Sequence, residues 1–378
     1  MKVVDLFSGA GGMSAGFARQ GSFTIVGAVD MQKGKPGLGA SPGTSTMCNP
    51  TYARNLGLRP KAADLVKLDP VRYREELGLL PRELDVLISC APCTGFSQKN
   101  ARNHIIDDPR NSLTVRTANF VESFRPSCLV MENVKEFLTG NQRHHFELLR
   151  HRLEKAGYEV WADVHDLSSF GLPQRRRRAL LIAMRDKAAE PLRPSMSVVR
   201  TVRDAIGHLP HVKAGECHPS DRMHVSPRIT PKVLDRIRAI PRDGGSWRDI
   251  MLSTSLSDET KRHLLTPAMF RARAGSFPDV YGRLWWDRPA VTITRECAHF
   301  GNGRYAHPEQ DRLLTVREMA LLQGFPPGYV FEGPLTARYN QIGDAVPPLV
   351  SEIIAEHVAT LLCPWQIKTR RNDEAAAS

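Results

Sequence analysis

Four short apolar segments in the first 134 residues alternate with helix-like segments, and each ends in a polar or glycine-rich turn. They read VVDLF (3–7), FTIVGAVD (23–30), LDVLISCAP (84–92) and SCLVMENV (127–134). Strands that alternate with helices predict a parallel α/β sheet. YEVWADVHD and RALLIAM (178–184) predict a later pair of strands. Because ligands bind beyond the carboxyl ends of strands in an open parallel sheet, we expect the functional site at these turns.

The sequence changes character near Asp186. Residues 187–287 hold scattered prolines and few long periodic runs, and residues 190–285 carry 16 Lys and Arg against 10 Asp and Glu. The whole chain has a net charge of +12. We predict a second, irregular domain that binds a nucleic acid, with a solvated, loop-rich surface as the alternative. Helix signals return at LTVREMALLQGF (314–325) and PPLVSEIIAEHVATLL (347–362).

Composition excludes two classes of protein. No apolar run approaches the roughly 18 residues of a membrane span, and no signal peptide is recognisable, so we expect a cytoplasmic protein with no membrane partner. The seven cysteines are odd in number and lack a secretory context, which disfavours a disulfide framework.

The first candidate site is DLFSGAGG, from Asp5 to Gly12, directly after the first strand. Glycines at this point let the backbone approach a ligand, and Asp30 at the end of the second strand is placed to accept hydrogen bonds from ribose hydroxyls. The pattern indicates a nucleoside cofactor. Its glycine spacing does not match the dinucleotide fingerprint, so a tight turn without a ligand is an alternative.

The second candidate site is SCAPCTGFSQ (89–98), which contains a Cys-x-x-Cys pair. Three interpretations are open: a redox dithiol, half of a zinc site, or the seat of one nucleophilic thiolate. Zinc would need two further ligands at metal spacing, and none is found, so no metal site is expected. Cys90 closes an apolar run and is interpreted as structural, whereas Cys93 follows Pro92 and is expected to be exposed in a cleft.

The third candidate site is Glu132-Asn133, at the end of the fourth apolar segment. The pair could cap the following helix. In one cleft with a thiolate, the acid could instead donate a proton to a substrate.

Together these segments resemble the DNA (cytosine-5)-methyltransferase family of the prokaryotic modification type. The motifs occur in the family's order over nearly the whole chain: DLFSGAGGMSAGF, APCTGFSQ, MENV, FGLPQRRRRALLIA, RPAVTIT, RLLTVREMALLQGFP and YNQIGDAVPPLV. The resemblance implies a Rossmann-like S-adenosylmethionine-dependent methyltransferase domain over 1–187, completed by 337–378. A smaller irregular target-recognition domain with a hinge is implied over 188–336.

The resemblance also implies a reaction. Cys93 would add to carbon 6 of a flipped-out cytosine, so that carbon 5 can attack a methyl donor. Glu132 would protonate or hydrogen-bond ring N3, and Asn133 would help to hold the base. Arg176 and Arg178 would raise the thiolate fraction, and Arg178 would bind the cytosine carbonyl.

The implied cofactor is S-adenosylmethionine, which leaves as S-adenosylhomocysteine. Asp30 would bind its ribose and Asp64 its adenine amino group. The complete set of implied cofactor contacts is Phe7, Gly9, Gly11, Gly12, Asp30, Asp64, Pro92, Asp344 and Ala345.

The implied macromolecular partner is double-stranded DNA, and the candidate contacts are Ser97, Gln98, Arg175 and Arg248. Arg248 lies in GGSWRD (244–249), which could be a recognition loop or a packed turn. Little sequence precedes Asp5, so we expect a stand-alone monomeric modification enzyme, with a cognate restriction endonuclease as a further expected partner. The alternatives are a tRNA cytosine methyltransferase and a non-catalytic DNA-binding regulator on the same scaffold.

Three residues depart from the family pattern. Asp344 replaces the usual asparagine of the last motif, where it could weaken binding of the donor's carboxylate or pair with its cation. Thr94 stands where glutamine is common, and Asp30 stands where glutamate is usual, followed by a Gly/Pro-rich insertion at 34–46 that could cover the pocket.

Overall fold

The structure is a computed structural model that describes residues 1–33, 45–92, 112–194, 199–272 and 277–363. The chain divides into two compact units. Unit 1 comprises Met1–Phe170, Arg177–Ser195 and Val346–Ser378, and unit 2 comprises Gly171–Arg176 and Met196–Ala345. The assignment of catalysis and DNA recognition to separate domains remains a prediction.

Unit 1 is built around one mixed sheet, which has six strands in the described ranges. The strands are β1 (Lys2–Leu6), β2 (Thr24–Val29), β3 (Val86–Ser89), β4 (Cys128–Val134), β5 (Tyr158–Asp166) and β6 (Arg177–Arg185), in the order β2-β1-β3-β4-β6-β5. The first four are parallel, as predicted. The prediction of a parallel sheet was wrong for β6 alone, which runs antiparallel to both of its neighbours, β4 and β5.

The helices of unit 1 connect or cover these strands. They are α1 (Gly12–Gln20), α2 (Cys48–Leu56), α3 (Pro70–Glu76), α4 (Ser112–Phe124), α5 (Glu136–Thr139), α6 (His144–Lys155) and, from the distant end of the sequence, α14 (Pro348–Leu362). Apolar side chains of the strands and of α4 and α6 form the core, among them Leu6, Leu87, Phe120, Leu129 and Leu149.

Helix α14 packs directly on α1. A Cβ added at Gly16 would lie 2.3 Å from the backbone nitrogen of Glu352, so the two helices approach as closely as only glycine permits. The Ser351 hydroxyl donates a hydrogen bond to the carbonyl of Met13, and Arg19 pairs with Glu352 at 2.9 Å. The last described helix therefore completes the unit that the first strand begins.

Unit 2 contains seven α-helices, a 3-10 helix (Phe300–Asn302) and one hairpin within the described residues. The helices are α7 (Val202–Ile206), α8 (Pro231–Ala239), α9 (Trp247–Leu252), α10 (Asp258–Leu264), α11 (Pro267–Arg271), α12 (Val316–Leu322) and α13 (Leu335–Asp344), and the hairpin pairs β7 (Cys217–His218) with β8 (Asp221–Val225).

Unit 2 contains a buried ion pair between Arg312 and Glu318. Arg312 and Glu318 are 0% and 1% exposed, and they share two parallel hydrogen bonds of 2.7 Å. Burial acts to raise the pKa of Glu318, but the hydrogen bonds and charge of Arg312 outweigh it and lower that pKa to about 2. The pair is fully ionised and holds the start of α12 against the chain before it.

The stretch Leu335–Leu362 is apolar and long enough to cross a membrane by composition alone. It comprises α13 and α14, and its most apolar window is 56% buried inside the protein. Core helices of soluble proteins pass the same test, so this indicates no membrane span.

Candidate active site

The predicted nucleophile Cys93 lies outside the described residues, as do Thr94, Ser97 and Gln98. The segment 34–44, most of the Gly/Pro-rich insertion, also lies outside them. Every other predicted site residue is placed by the structure.

The loop after β1 has an unusual backbone. Phe7 adopts a left-handed φ of 60°, and Gly9 and Gly11 follow with φ of 51° and 89°. For a phenylalanine this conformation is strained, and strain of this kind collects at ligand sites. The loop is fixed by bonds from Ser8 N to Val29 O (3.0 Å) and from Gly11 N to Ser8 O (2.9 Å). Gly12 then opens α1.

Asp30 closes the loop from the neighbouring strand. Its carboxylate accepts hydrogen bonds from Gly9 N at 3.1 Å and from Gln32 N at 2.6 Å. Burial raises the pKa of this carboxyl, and the two backbone donors oppose that rise. A carboxylate has about four lone-pair positions, so two remain for ribose hydroxyls. The shorter aspartate therefore braces the glycine loop and keeps capacity for a ligand.

A polar network that sequence reasoning missed lies beneath this loop. Asp5, 1% exposed, accepts a hydrogen bond of 2.5 Å from Ser14 Oγ, which in turn accepts one of 2.8 Å from the Tyr52 hydroxyl. Burial raises the pKa of Asp5 to about 7, against the Ser14 hydrogen bond and with help from the charge of Asp30. The only available signal was an acid inside an otherwise apolar strand.

Cys90 follows β3 in the segment that leads to Cys93, and Asn133 contacts Ala91 in the same segment. Burial, followed by the negative charges of Glu132 and Asp5, raises the pKa of the Cys90 thiol well above its usual range. Cys90 is therefore protonated and a poor nucleophile, in line with its structural interpretation. Asn133, 2% exposed, donates from Nδ2 to the carbonyl of Ala91 at 3.4 Å and thereby holds the strand exit.

Glu132 and Arg178 are brought together by the β4–β6 pairing. Glu132 lies opposite Leu180 and Arg178 lies opposite Val134, so the two side chains are diagonal neighbours on one face of the sheet. Arg178 Nε is 2.9 Å from Glu132 Oε1, and the side chains are 14% and 9% exposed.

In this contact, one carboxylate oxygen of Glu132 accepts no hydrogen bond from the described residues. Glu132 Oε1 is buried and has no hydrogen-bond partner among the described residues, so the contact is an ion pair without a directed hydrogen bond. A buried polar atom of this kind calls for an explanation, and a bound ligand is one. Arg178 also donates from Nη1 to the carbonyl of Arg177 at 2.8 Å, which fixes the guanidinium.

In unit 2, Gln174 and Arg176 connect the late sequence motifs to one another. Arg176, 3% exposed, donates to the carbonyls of Ile293 (2.9 Å) and Ala345 (3.3 Å). Gln174 accepts from Ile293 N at 3.0 Å and donates to Gln323 Oε1 at 2.7 Å. These contacts give Arg176 a positioning role, and a direct catalytic contact remains a prediction. Gln174 and Gln323 both stand in the quoted motifs, but their mutual contact carried no sequence signal.

The aspartate that departs from the family pattern has a partner. Asp344 accepts a short hydrogen bond from Arg295 Nη1, 49 residues away in sequence. The carbonyl of the adjoining Ala345 accepts from Gln323 Nε2 at 2.7 Å. The negative charge of Asp344 is thus offset by Arg295 inside unit 2.

The remaining predicted contacts lie in ordinary local structure. Asp64 accepts from Val66 N at 3.0 Å in a turn, Pro92 is exposed, and Arg175 has an exposed side chain. GGSWRD leads into α9, which begins at Trp247: the Trp247 side chain is 4% exposed, and the Arg248 guanidinium lies 5.8 Å from the centroid of its ring. Whether Arg248 also contacts DNA remains a prediction.

The sheet, the glycine loop after β1 and the acids at the strand ends define a Rossmann-like methyltransferase fold. Two solved structures share this fold, and their sequence identity to this chain is so low that they support the fold alone. The Entamoeba histolytica methyltransferase EhMeth has a TM-score of 0.63 and 14% identity, covering 96% of this chain and 98% of that one. The Dnmt2 methyltransferase of S. pombe has a TM-score of 0.58 and 16% identity, covering 97% and 99%.

Sequence comparison gives the family. Residues 1–360 match the profile of the C-5 cytosine-specific DNA methylases. The type II methylase M.HgiDII of Herpetosiphon aurantiacus is 32% identical over 368 residues, 95% of each chain. The type II methyltransferase M1.HphI of Haemophilus parahaemolyticus is 32% identical over 358 residues, 94% of this chain and 86% of the relative. The chain belongs to this family and is a DNA (cytosine-5)-methyltransferase.

Proposed function

We propose that this enzyme methylates carbon 5 of a flipped-out cytosine within a specific double-stranded DNA sequence, through a covalent adduct with Cys93. The observation that carries the proposal is the buried ion pair of Glu132 and Arg178 with its unused acceptor. The two relatives at 32% identity are type II DNA methylases, which supports DNA rather than tRNA as substrate.

Cys93, Glu132 and Arg178 have different roles at the cytosine. Cys93 adds to carbon 6, which places electron density on carbon 5. Glu132 protonates N3, or hydrogen-bonds it, and so neutralises or stabilises the negative charge that the addition creates. After carbon 5 has taken the methyl group, loss of the carbon 5 proton and expulsion of the Cys93 thiolate release 5-methylcytosine. Arg178 binds the cytosine carbonyl oxygen and keeps Glu132 oriented. A general acid of this type contributes about a hundredfold to ten-thousandfold to the rate.

S-adenosylmethionine would supply the methyl group. The strained Phe7 backbone, Gly9, Gly11 and Gly12 would receive it at the end of β1, and Asp30 would accept hydrogen bonds from its ribose. The buried Ser8 hydroxyl, which has no hydrogen-bond partner within the described ranges, fits a polar ligand at this loop. Asp64, Pro92, Asp344 and Ala345 complete the proposed set.

DNA binding is proposed for the basic unit 2 and for Ser97, Gln98, Arg175 and Arg248. Flipping the target costs a few kcal/mol of unstacking, which contacts in the pocket offset. We also propose that the enzyme acts as a monomer. The type II designation of its two relatives supports a cognate restriction endonuclease as a further partner.

The test is transfer of tritiated methyl from S-adenosylmethionine to duplex DNA, followed by digestion to nucleosides. We expect label in 5-methylcytosine with wild type and with Cys90→Ser, because the Cys90 thiol stays protonated. Cys93→Ala should give none, and Glu132→Gln should lose about a hundredfold or more in kcat. Label in tRNA instead of DNA, or transfer by Cys93→Ala at the wild-type rate, would overturn the proposal.

A further inference from the structure

His165 lies on the face of the sheet that holds the ion pair of Glu132 and Arg178. The β5–β6 register sets His165 directly opposite Arg178, and the β4–β6 register sets Arg178 one row from Glu132. Residues directly opposite each other on antiparallel strands project from the same face, with Cβ atoms about 4.5–5.5 Å apart. All three residues belong to unit 1. The proposed reaction gives this histidine no role, although it neighbours the arginine that would hold the base.

Two aromatic rings hold the His165 side chain in place. The centroid of the imidazole lies 5.7 Å from that of Trp161 and 5.4 Å from that of Phe170, which it meets edge to face. The His165 side chain is 12% exposed. Packing on two sides restricts the rotamers of the ring, so its nitrogen atoms point in fixed directions.

Nε2 of His165 is buried and has no hydrogen-bond partner among the described residues. Oδ2 of Asp163 lies 3.8 Å away, too far for a hydrogen bond, and the Asp163 side chain is 63% exposed. Asp163 lies opposite Leu180, which in turn lies opposite Glu132, so Nε2 is directed toward the row of the sheet that contains Glu132. The Arg178 guanidinium reaches the same row. A buried nitrogen without a partner requires an explanation, and the neighbouring guanidinium offers one.

The imidazole is in the form that can accept a hydrogen bond at neutral pH. Burial lowers the pKa of His165, and the negative charge of Asp163 opposes that effect. The other charged groups on this face are Arg178 on β6 and Glu132 on β4, which pair with each other. A neutral imidazole has one acceptor nitrogen, whereas a protonated one has none. Protonation of His165 would therefore remove an acceptor and place a second cation opposite Arg178.

We propose that His165 is a positioning residue for methyl transfer, whose Nε2 accepts a hydrogen bond from the Arg178 guanidinium and so holds Arg178 toward Glu132 and the cytosine. Nε of Arg178 faces Glu132 and Nη1 donates to the carbonyl of Arg177, so Nη2 is left as the donor. The bond requires a side-chain rotation of Arg178, which the short separation of two directly opposite residues permits. The inference rests on the proposed function, because it requires Arg178 at the base.

Three substitutions of His165 separate its acceptor from its packing. His165→Phe keeps a ring and removes the acceptor. His165→Gln can place its carboxamide oxygen near the position of Nε2, whereas the shorter side chain of His165→Asn cannot. The controls are Asp163→Asn, which removes the charge 3.8 Å from Nε2, and His151→Gln, which changes an exposed histidine of α6.

The assay measures kcat and KM on a duplex with the enzyme's own site, identified by sequencing DNA from a bacterial host that expresses it. His165→Phe and His165→Asn should lose about ten- to hundredfold in kcat with little change in KM, in line with one hydrogen bond to a charged group. His165→Gln should recover most of that loss, and both controls should stay near wild type. In an Arg178→Lys background, which lacks the planar guanidinium, His165→Phe should cost at most about twofold more, because neighbours that act together are not additive.

A pH profile supplies a readout that a purely structural role would not move. From pH 8 to pH 5 the kcat of wild type should fall at the acid end, as His165 gains a proton and loses its acceptor. His165→Gln does not titrate, so its fall should begin at lower pH, while His151→Gln should follow wild type.

Several results would overturn the inference. One is wild-type kcat in His165→Phe, and another is an equal loss in all three His165 variants together with a lowered Tm, which would give the ring a structural role alone. A loss in Asp163→Asn as large as that in His165→Phe would assign Nε2 to Asp163 instead. If His165→Phe does not fold, the comparison of His165→Gln with His165→Asn still decides the question. If wild type transfers no methyl to DNA, the proposed function itself fails, and the two failures are thus distinguished.

Discussion

Replacing Asp5 with asparagine should make the protein more stable at neutral pH, and by an amount that depends on pH. Asp5 is buried beneath the glycine loop, and burial raises its pKa to about 7 from 3.8. In the unfolded chain the carboxyl ionises near its ordinary pKa. Between these two values the folded state binds more protons than the unfolded state, so stability falls as pH rises.

The magnitude follows from the two pKa values. Each pKa unit corresponds to about 1.4 kcal/mol, so above pH 7 the ionised Asp5 costs the folded state up to about 4 kcal/mol. Below pH 4 the group is protonated in both states and costs nothing of this kind. Asp5→Asn keeps an acceptor for Ser14 and does not titrate.

The measurement is urea unfolding of wild type and Asp5→Asn at intervals from pH 5 to pH 8. We expect the stability difference to grow in favour of the variant and to level off above pH 7. Ser14→Ala provides the control, because loss of the hydrogen bond that lowers the Asp5 pKa should move this levelling to higher pH. A difference between wild type and Asp5→Asn that stays constant from pH 5 to pH 8 would refute the reasoning.

One further substitution in each unit tests its packing by denaturant unfolding. Gly16→Ala should lower the free energy of unfolding by about 1–3 kcal/mol, because its Cβ would lie 2.3 Å from the Glu352 backbone. Gly21→Ala, whose Cβ meets no atom within 4 Å, should lose about 1–2 kcal/mol through its left-handed backbone alone. The Gly16→Ala loss should lie at the upper end of its range, about 3 kcal/mol, and a Gly16→Ala loss no larger than that of Gly21→Ala would contradict the packing argument. Glu318→Gln should cost about 3–5 kcal/mol, because it leaves Arg312 charged and buried without its partner, and a loss below about 1 kcal/mol would show that water reaches the pair.

Much of the site could be predicted because it lies where apolar strands end. The loop after β1, Asp30 and Glu132 each follow a recognisable strand, and the parallel order of β1 to β4 places these ends at one edge. The direction of β6 could not be predicted, because an apolar run carries no sign of the direction in which its strand pairs. Yet that antiparallel pairing is what sets Arg178 beside Glu132.

Other features depend on contacts between residues far apart in sequence. The partner of Asp344 is Arg295, and nothing in either segment specifies the other. The sequence placed Asp30 at the end of the second strand as an acceptor for ribose hydroxyls, whereas its bonds to Gly9 and Gln32 depend on the folded loop. Side chains that bond to backbone atoms leave little trace in sequence, because every residue offers the same backbone groups.

The packing of α14 on α1 has a consequence for synthesis of the protein. The Ser351 hydroxyl and the Met13 carbonyl are 338 residues apart in sequence, so the ribosome releases the partner of α1 only after all of unit 2 has been made. Until then the face of α1 around Gly16 stays uncovered, with its apolar neighbours exposed to other chains. Contacts this distant also slow folding, since a long loop must close before they form. A nascent chain that stalls within unit 2 is therefore a natural substrate for chaperones, even though every strand of the sheet has already been made.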